Sequence, residues 1–423
     1  MSRKVLVPRT LTSPQTGSGW LTARRLRTHG IILAVCLWSV YLWNISTPGL
    51  LDRAGNLKGT DFLHFYTLGC LALAHRGADL YNPQAQSELA AQRVPAAAGI
   101  EYLPVNPPQV SILFAPFARL PYSWALLLWI TLSALLYGVC CYAVWRVCDN
   151  LRNHQLTVLI LAFAFPAFWH LIAWGQTSAL ALACYTVAFF ALRRHREFLA
   201  GLAFGCLMFK PQLGLAAAIV FVVTLRWKVI AGAILSSTAE LIAAILYYGS
   251  GPLREWMRLL VHVPRVMALL EPRAYQTHSL RTFWTMLVPW PPVSFVFYTI
   301  SAVLICALTI ACWRIRATLS LRYSVLLLAT VLLAPHLTVY DLVILAPAFL
   351  LLSDWLLAKA AESADKSLKP RHLKTLLYLA FVLPLLGPLA RWTHLQLSVP
   401  VMATLLFELW RCGKKADSLT QAL

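Results

Sequence analysis

Residues 122–146 read YSWALLLWITLSALLYGVCCYAVWR, and their only charge is the closing Arg146. An apolar run of this length crosses a hydrocarbon core of about 30 Å as an α-helix. Working outward, comparable runs lie at about 29–46, 156–174, 177–192, 229–249, 293–313, 323–338, 341–357, 375–390 and 397–410. The whole chain of 423 residues is 59% hydrophobic and 12% charged. An average soluble domain is roughly 45–50% apolar and about 25% charged. The length therefore counts helices in one membrane bundle, not soluble domains. The expected fold is all-α: a polytopic integral membrane bundle of about 11–12 transmembrane helices.

Charge sets the orientation. The net charge is +20, which in a soluble chain points to nucleic acid. Here two thirds of the 36 Lys and Arg residues fall in the segments that alternate to one side of the runs. That is the positive-inside pattern, and it makes the tail with Arg3, Lys4, Arg9, Arg24, Arg25 and Arg27 cytoplasmic. No basic stripe interleaved with aromatics is present, so nucleic-acid binding is excluded. The first run ends without a small-residue cleavage motif and reads as a signal anchor.

The resulting plan has a cytoplasmic tail at 1–28, one transmembrane domain at 29–410 and a cytoplasmic tail at 411–423. Two long outer segments interrupt it, at about 47–121 and 250–292. Within the first, 63–74 has the spacing of a helix in the outer interface, and 84–92 of a second short helix. Residues 109–119, between Pro107-Pro108 and Pro116 with Pro121, are too short to span and read as re-entrant or interfacial. The stretch 198–225 is broken at Lys210-Pro211 and reads as a hairpin of two short helices. Ten Cys show no pairing framework and no CxxC metal spacing; only Cys70 falls in an outer segment.

Several polar motifs can carry chemistry. Asp61, in Gly59-Thr60-Asp61-Phe62, stands before an apolar stretch that would raise its basicity toward that of a general base. By residue type alone, a helix cap has the stronger claim on Asp61. Asp79, in Gly77 to Pro83, reads as turn chemistry. Lys210 inside an apolar hairpin costs about 2.5–3.5 kcal/mol at a helix centre, so it suits a phosphate site, or it snorkels to the interface. His336 and Asp341 are five residues apart across a turn. They suit a shared hydrogen bond, substrate orientation or phosphate binding, or equally a solvated turn. Arg254, Arg258, Arg265, Arg273, His278 and Arg281 suit an anionic cleft, with solvation accounting for at least half of them. Gln176, after Trp174-Gly175, suits a sugar or phosphate hydrogen bond, or a neighbouring helix. Glu240 lies in an apolar run with no evident partner. No P-loop, HExxH, Gly-x-Ser-x-Gly or Rossmann fingerprint is present.

Taken in order, these motifs resemble glycosyltransferase family 87, a bacterial family of polytopic mannosyltransferases in the GT-C superfamily. The matching pieces are Gly59-Thr60-Asp61-Phe62 with Tyr66; Gly77 to Pro83; Pro107-Pro108 with Pro116 and Leu120-Pro121; Gly175-Gln176; Gly201 with Lys210-Pro211; His278-Ser279-Leu280; and Pro335-His336 with Tyr340-Asp341-Leu342. They cover about residues 59–350. No single piece is specific; the ordered set is. Where the family has an aromatic before Pro-Pro, this chain has Asn106, with Tyr102 a few residues earlier.

The resemblance implies a GT-C fold in the bacterial inner membrane, with the active site facing outward. It implies a polyprenyl-phosphate sugar donor, typically mannose, and a glycolipid or glycan acceptor. It implies neither a nucleotide sugar, nor a cofactor, nor an obligatory metal. Asp61 becomes the expected catalytic base. Lys210, His336, Arg265, Arg273 and Arg281 become candidates to stabilise the leaving phosphate. Asp341, Gln176, His278, Tyr66 and Tyr102 complete the expected substrate-binding set. A single base with in-line displacement implies inversion at the anomeric carbon. Two other readings compete. A transporter or flippase of lipid-linked sugar would place its site near the midplane between repeats, but no repeat is present. A non-catalytic relative would bind the donor without turnover.

Overall fold

A computed structural model describes residues 21–271, 273–362 and 371–421. Among these there is no β-strand, only two isolated bridges, Leu51 with Leu57 and Thr277 with Thr338. The chain is an all-helical, multi-pass membrane bundle. In order, the helices are α1 (Ala23–Ile45), α2 (Thr60–Leu73), α3 (Pro83–Arg93), α4 (Gln109–Phe114), α5 (Tyr122–Trp145), α6 (Gln155–Phe163), α7 (Pro166–Trp174), α8 (Ser178–Arg193), α9 (Glu197–Gly205) and α10 (Pro211–Val223). They continue with α11 (Trp227–Tyr248), α12 (Gly251–Leu270), α13 (Leu280–Leu287), α14 (Pro291–Arg314), α15 (Leu319–Leu333), α16 (Ala346–Glu362), α17 (Arg371–Val382), α18 (Ala390–Thr393) and α19 (Ser398–Gln421).

Six helical segments are long and apolar enough to cross a membrane unaided, and α6 with α7 makes a seventh, bent by 44°. The bend follows from Pro166, which starts α7 and pushes Phe165 out of helical geometry. The other expected spans α8, α9, α10 and α15 are shorter apolar helices. α19 carries charge into its second half and runs to Gln421, so the expected tail from 411 continues this helix. Residues 109–119 form α4 and a 3₁₀ turn at Phe117–Arg119, neither long enough to cross. Residues 198–225 break at Lys210, between the 3₁₀ turn Cys206–Phe209 and α10.

Burial sorts the helices by neighbour. α5 exposes Trp124, Leu127, Leu128, Leu132, Leu135 and Val139 while burying Ala125, Trp129, Ser133, Tyr137 and Cys140. A face of large apolar residues left open on a membrane helix is its lipid face. α15 lies at the centre, with every residue from Tyr323 to Leu333 buried. α1 stands at the periphery and buries only Gly30, against Ile160 and Leu161 of α6. α2 is the helix expected over 63–74. It is covered on all faces from Phe62 to Ala72 because α3, α4 and α5 pack over it.

Glycines set one further contact that matters to the site. Gly201 and Gly205 of α9 are four apart and face α11. A Cβ on Gly201 would strike the carbonyl of Val229, and one on Gly205 the carbonyl of Ala233. Small residues at this spacing let two membrane helices touch backbone to backbone. The Ser236 hydroxyl adds a hydrogen bond to the Leu202 carbonyl at 2.8 Å. This seam fixes the end of α9, and with it the Lys210 break.

Candidate functional site

Asp61 is the second residue of α2. The helix starts from Gly59, which holds a left-handed φ of 66°. The Tyr122 hydroxyl secures this start, donating to the carbonyls of Lys58 at 2.8 Å and Gly59 at 2.9 Å. Neither Thr60 nor Asp61 caps α2. The Thr60 hydroxyl donates back to the Leu57 carbonyl at 2.7 Å, and the Asp61 carboxylate turns away from the helix end. It accepts instead from Gln176 Nε2 at 2.7 Å.

That contact depends on Gly175. Its φ is 70°, and a Cβ there would press on the Cβ of Phe62. With no side chain, the junction of α7 and α8 settles onto α2 and delivers the next residue, Gln176, to Asp61. The Trp129 indole clamps the junction by donating to the Gly175 carbonyl at 2.9 Å.

Gln176 leads on to a buried ion pair. Lys210 Nζ lies 3.3 Å from Gln176 Oε1, 3.2 Å from Ser178 Oγ and 2.8 Å from Asp341 Oδ1. Asp341 belongs to the 3₁₀ segment Val339–Leu345 and closes a capping box with Thr338. The costly charge of Lys210 is thus matched by a carboxylate and two further acceptors. Its three N–H groups each have an acceptor within the protein, at the edge of the cavity where the sequence suggested a phosphate site.

A second charged group forms where the segment after α12 docks on the turn after α15. The Thr277–Thr338 bridge and the hydrogen bond from His278 N–H to the Leu337 carbonyl at 3.0 Å make the junction. There Arg281 donates through Nε to the Pro335 carbonyl at 2.6 Å and pairs through Nη2 with Glu271 at 2.5 Å. This last approach is an ion pair without the alignment of a hydrogen bond. His336 Nδ1 lies 2.9 Å from the other oxygen of Glu271. Burial alone would raise the Glu271 carboxyl, but His336 and Arg281 outweigh it and hold it below its ordinary value.

Both groups open on one cavity of about 1160 Å³. Asp61, Tyr102, Gln176, Lys210, Arg273, Arg281, His336 and Asp341 all line it. So do Tyr41, Trp169, Trp174 and Phe295, which come from helices long or apolar enough to sit in lipid. Burial pushes the Asp61 carboxyl up to about 6, against the pull of the Gln176 hydrogen bond and the nearby Lys210 and Arg273 charges. Near neutral pH such a carboxylate is ionised yet basic enough to take a proton.

The other expected residues fall elsewhere. Tyr66 is buried behind α2, and its hydroxyl donates to the Leu120 carbonyl at 2.9 Å. His278 is fully buried, with Nδ1 2.7 Å from Ser398 Oγ. Burial lowers its pKa to about 3, so a neutral ring with a structural partner stands where an anion-binding cation was expected. The Tyr102 ring faces the cavity, but its hydroxyl is bound to the Thr60 carbonyl. The Arg265 side chain lies outside the described residues. His336 and Asp341 do not bond each other; each pairs with a residue far away in sequence. Asp79 forms a local ion pair with Arg76, as turn chemistry suggests. Glu240 accepts from Gln109 at 3.3 Å.

Sequence reasoning missed Glu271, Ser178 and Thr338. Glu271 left a signal, being one of only two carboxylates in the basic segment 250–292. Ser178 and Thr338 left none. Among the described residues no three His, Cys, Asp or Glu side chains converge as a metal site requires.

No curated protein and no solved structure matches the chain. The model of glycosyltransferase family 87 matches residues 105–340, beginning after Asp61 and taking in Gln176, Lys210, Arg273, Arg281 and His336. That is more than half of the chain, and the protein belongs to glycosyltransferase family 87.

Proposed function

We propose that the protein transfers a hexose, mannose in the first instance, from a polyprenyl-phosphate donor to a glycolipid or glycan acceptor, with inversion. The observation that carries this reading is a basic carboxylate and a cationic cluster lining one cavity, with lipid-facing helices in its wall. About 1160 Å³ exceeds the roughly 300–1,000 Å³ of ordinary small-molecule sites. That room suits two substrates held together, one of them on a lipid tail.

The chemistry then assigns itself by residue type. Asp61 takes the proton of an acceptor hydroxyl. The oxygen attacks the anomeric carbon from the face opposite the phosphate. The bond from that carbon to the phosphate oxygen breaks, and polyprenyl phosphate leaves as an anion. Arg281, His336 and Arg273 stabilise the charge that develops on it; arginine is suited to such oxygens by its planar fork. Glu271 orients the first two; it accepts from His336 Nδ1–H, and in the protonated ring Nε2–H is left to donate to the phosphate.

Orientation follows from charge. Both groups come from segments poor in Lys and Arg relative to the opposite side, which supports a site facing outward; the family supports a bacterial inner membrane. The uninterrupted succession of packed helices supports a single transmembrane domain over 29–410. The test is transfer by purified protein in lipid vesicles, using radiolabelled polyprenyl-phosphate mannose and a membrane glycolipid extract. Label should move to the glycolipid fraction. Transfer from a nucleotide sugar but from no polyprenyl-phosphate sugar would overturn the donor assignment.

A further inference from the structure

Lys210 reaches the cavity but has no free N–H for a ligand. Its place is better explained by what it does to Gln176. A glutamine amide can present either its oxygen or its NH₂ to a neighbour, and the two flips are nearly the same shape. At Gln176 the choice is forced. Oε1 faces two donors, Lys210 Nζ at 3.3 Å and the Thr177 backbone N–H at 3.3 Å. The reversed flip would set an NH₂ group against an ammonium. Nε2 must therefore face Asp61 Oδ2, where it stands at 2.7 Å.

Lys210 is itself held. Asp341 Oδ1 takes its charge at 2.8 Å and also accepts from Ser178 Oγ at 2.5 Å. Asp341 Oδ2 accepts from the Thr338 backbone at 3.3 Å. The Tyr340 ring lies against the ammonium at 5.0 Å. A continuous chain thus runs from the backbone of the turn after α15 to the carboxylate on α2.

We propose that Lys210 and Asp341 are positioning residues that lock the flip of Gln176, so that its amide binds one oxygen of Asp61 and leaves the other for the acceptor hydroxyl. This rests on Asp61 being the base. The charged and titratable groups facing Asp61 are Lys210, Arg273, Asp341, Tyr340, Tyr102 and Tyr122. Lys210 and Asp341 act on it directly with opposite signs, and Lys210 reaches it a second time through its contact with Gln176. With the lock released, the Gln176 oxygen can turn toward Asp61, which disfavours the carboxylate form.

The test is the pH profile of kcat/KM for transfer from labelled polyprenyl-phosphate mannose. It compares wild type with Gln176→Leu and with the charge-neutral pair Lys210→Met and Asp341→Asn. The acid limb should move to higher pH by about one unit in both, with activity recovering on the alkaline side and donor KM within about twofold of wild type. An equal loss at every pH with the limb unmoved would overturn the proposal in favour of a purely structural role. A tenfold rise in donor KM with the limb unmoved would overturn it in favour of direct phosphate binding by Lys210. Should the paired variant not fold, an unmoved limb in Gln176→Leu alone overturns it. Failure of the underlying reading looks different: Asp61→Asn would then keep its transfer activity.

Discussion

Glu271 accepts from His336 Nδ1 at 2.9 Å, joining the segment after α12 to the turn after α15 across 65 residues of chain. The same carboxylate neutralises Arg281. The Glu271 side chain is only 6% exposed and that of Arg281 19%. Glu271→Ala would leave the guanidinium short of its counter-charge and the imidazole free to turn. The expected outcome is a stability loss of order 3 kcal/mol, read as a lower thermal unfolding midpoint in detergent. The donor KM should rise with it. Glu271→Gln keeps the shape and should fold better while still weakening donor binding.

The acid side of the activity profile follows from the proposed role of Asp61 as the base. Its carboxyl is raised to about 6, with burial the main cause. The base works only when ionised, so lowering the pH through that value removes the active form. Below the limb the rate should fall about tenfold per pH unit. Initial rates across a pH series, normalised to a control for folding, check this. A rate that stays flat down to the ordinary Asp range would place the titrating group elsewhere.

The α9–α11 seam makes a prediction remote from the chemistry. A Cβ on Gly201 would meet the Val229 carbonyl, whereas one on Gly138 of α5 would meet nothing within 4 Å. Gly201→Ala should therefore destabilise by about 2 kcal/mol or more and lower activity by shifting Lys210. Gly138→Ala should be neutral or stabilising by up to about 1 kcal/mol. Thermal unfolding of the two variants side by side decides it.

How much of this was legible in the sequence differs by level. The spans were, because hydropathy is a one-dimensional signal: the runs expected at 122–146, 229–249 and 293–313 became α5, α11 and α14 to within two residues. The bend at Pro166 was not read, since the apolar run continues through it. The helix α12 is likewise not evident from hydropathy, because charged residues interrupt its apolar run. Arg254 and Arg258, four residues apart, mark one polar face of it. At the site, Gln176, Lys210 and Asp341 stood out as polar residues at helix junctions. Their partnerships did not. Asp61 and Gln176 are 115 residues apart, and Lys210 and Asp341 are 131 apart. Only the packing of Gly175 on α2 and of α9 on α11 brings them together. Tyr66 and His278 stand in the same motifs but are buried against protein partners, since a motif position does not by itself give access to the cavity.

The most direct measurement is mannosyl transfer by purified Asp61→Asn beside the wild type, in the same lipid and with the same polyprenyl-phosphate donor. Asparagine keeps the size of the side chain and removes the base. The account predicts a folded variant that still binds donor while its transfer falls by a factor of about 10²–10⁴. A folded Asp61→Asn protein with wild-type transfer would contradict it.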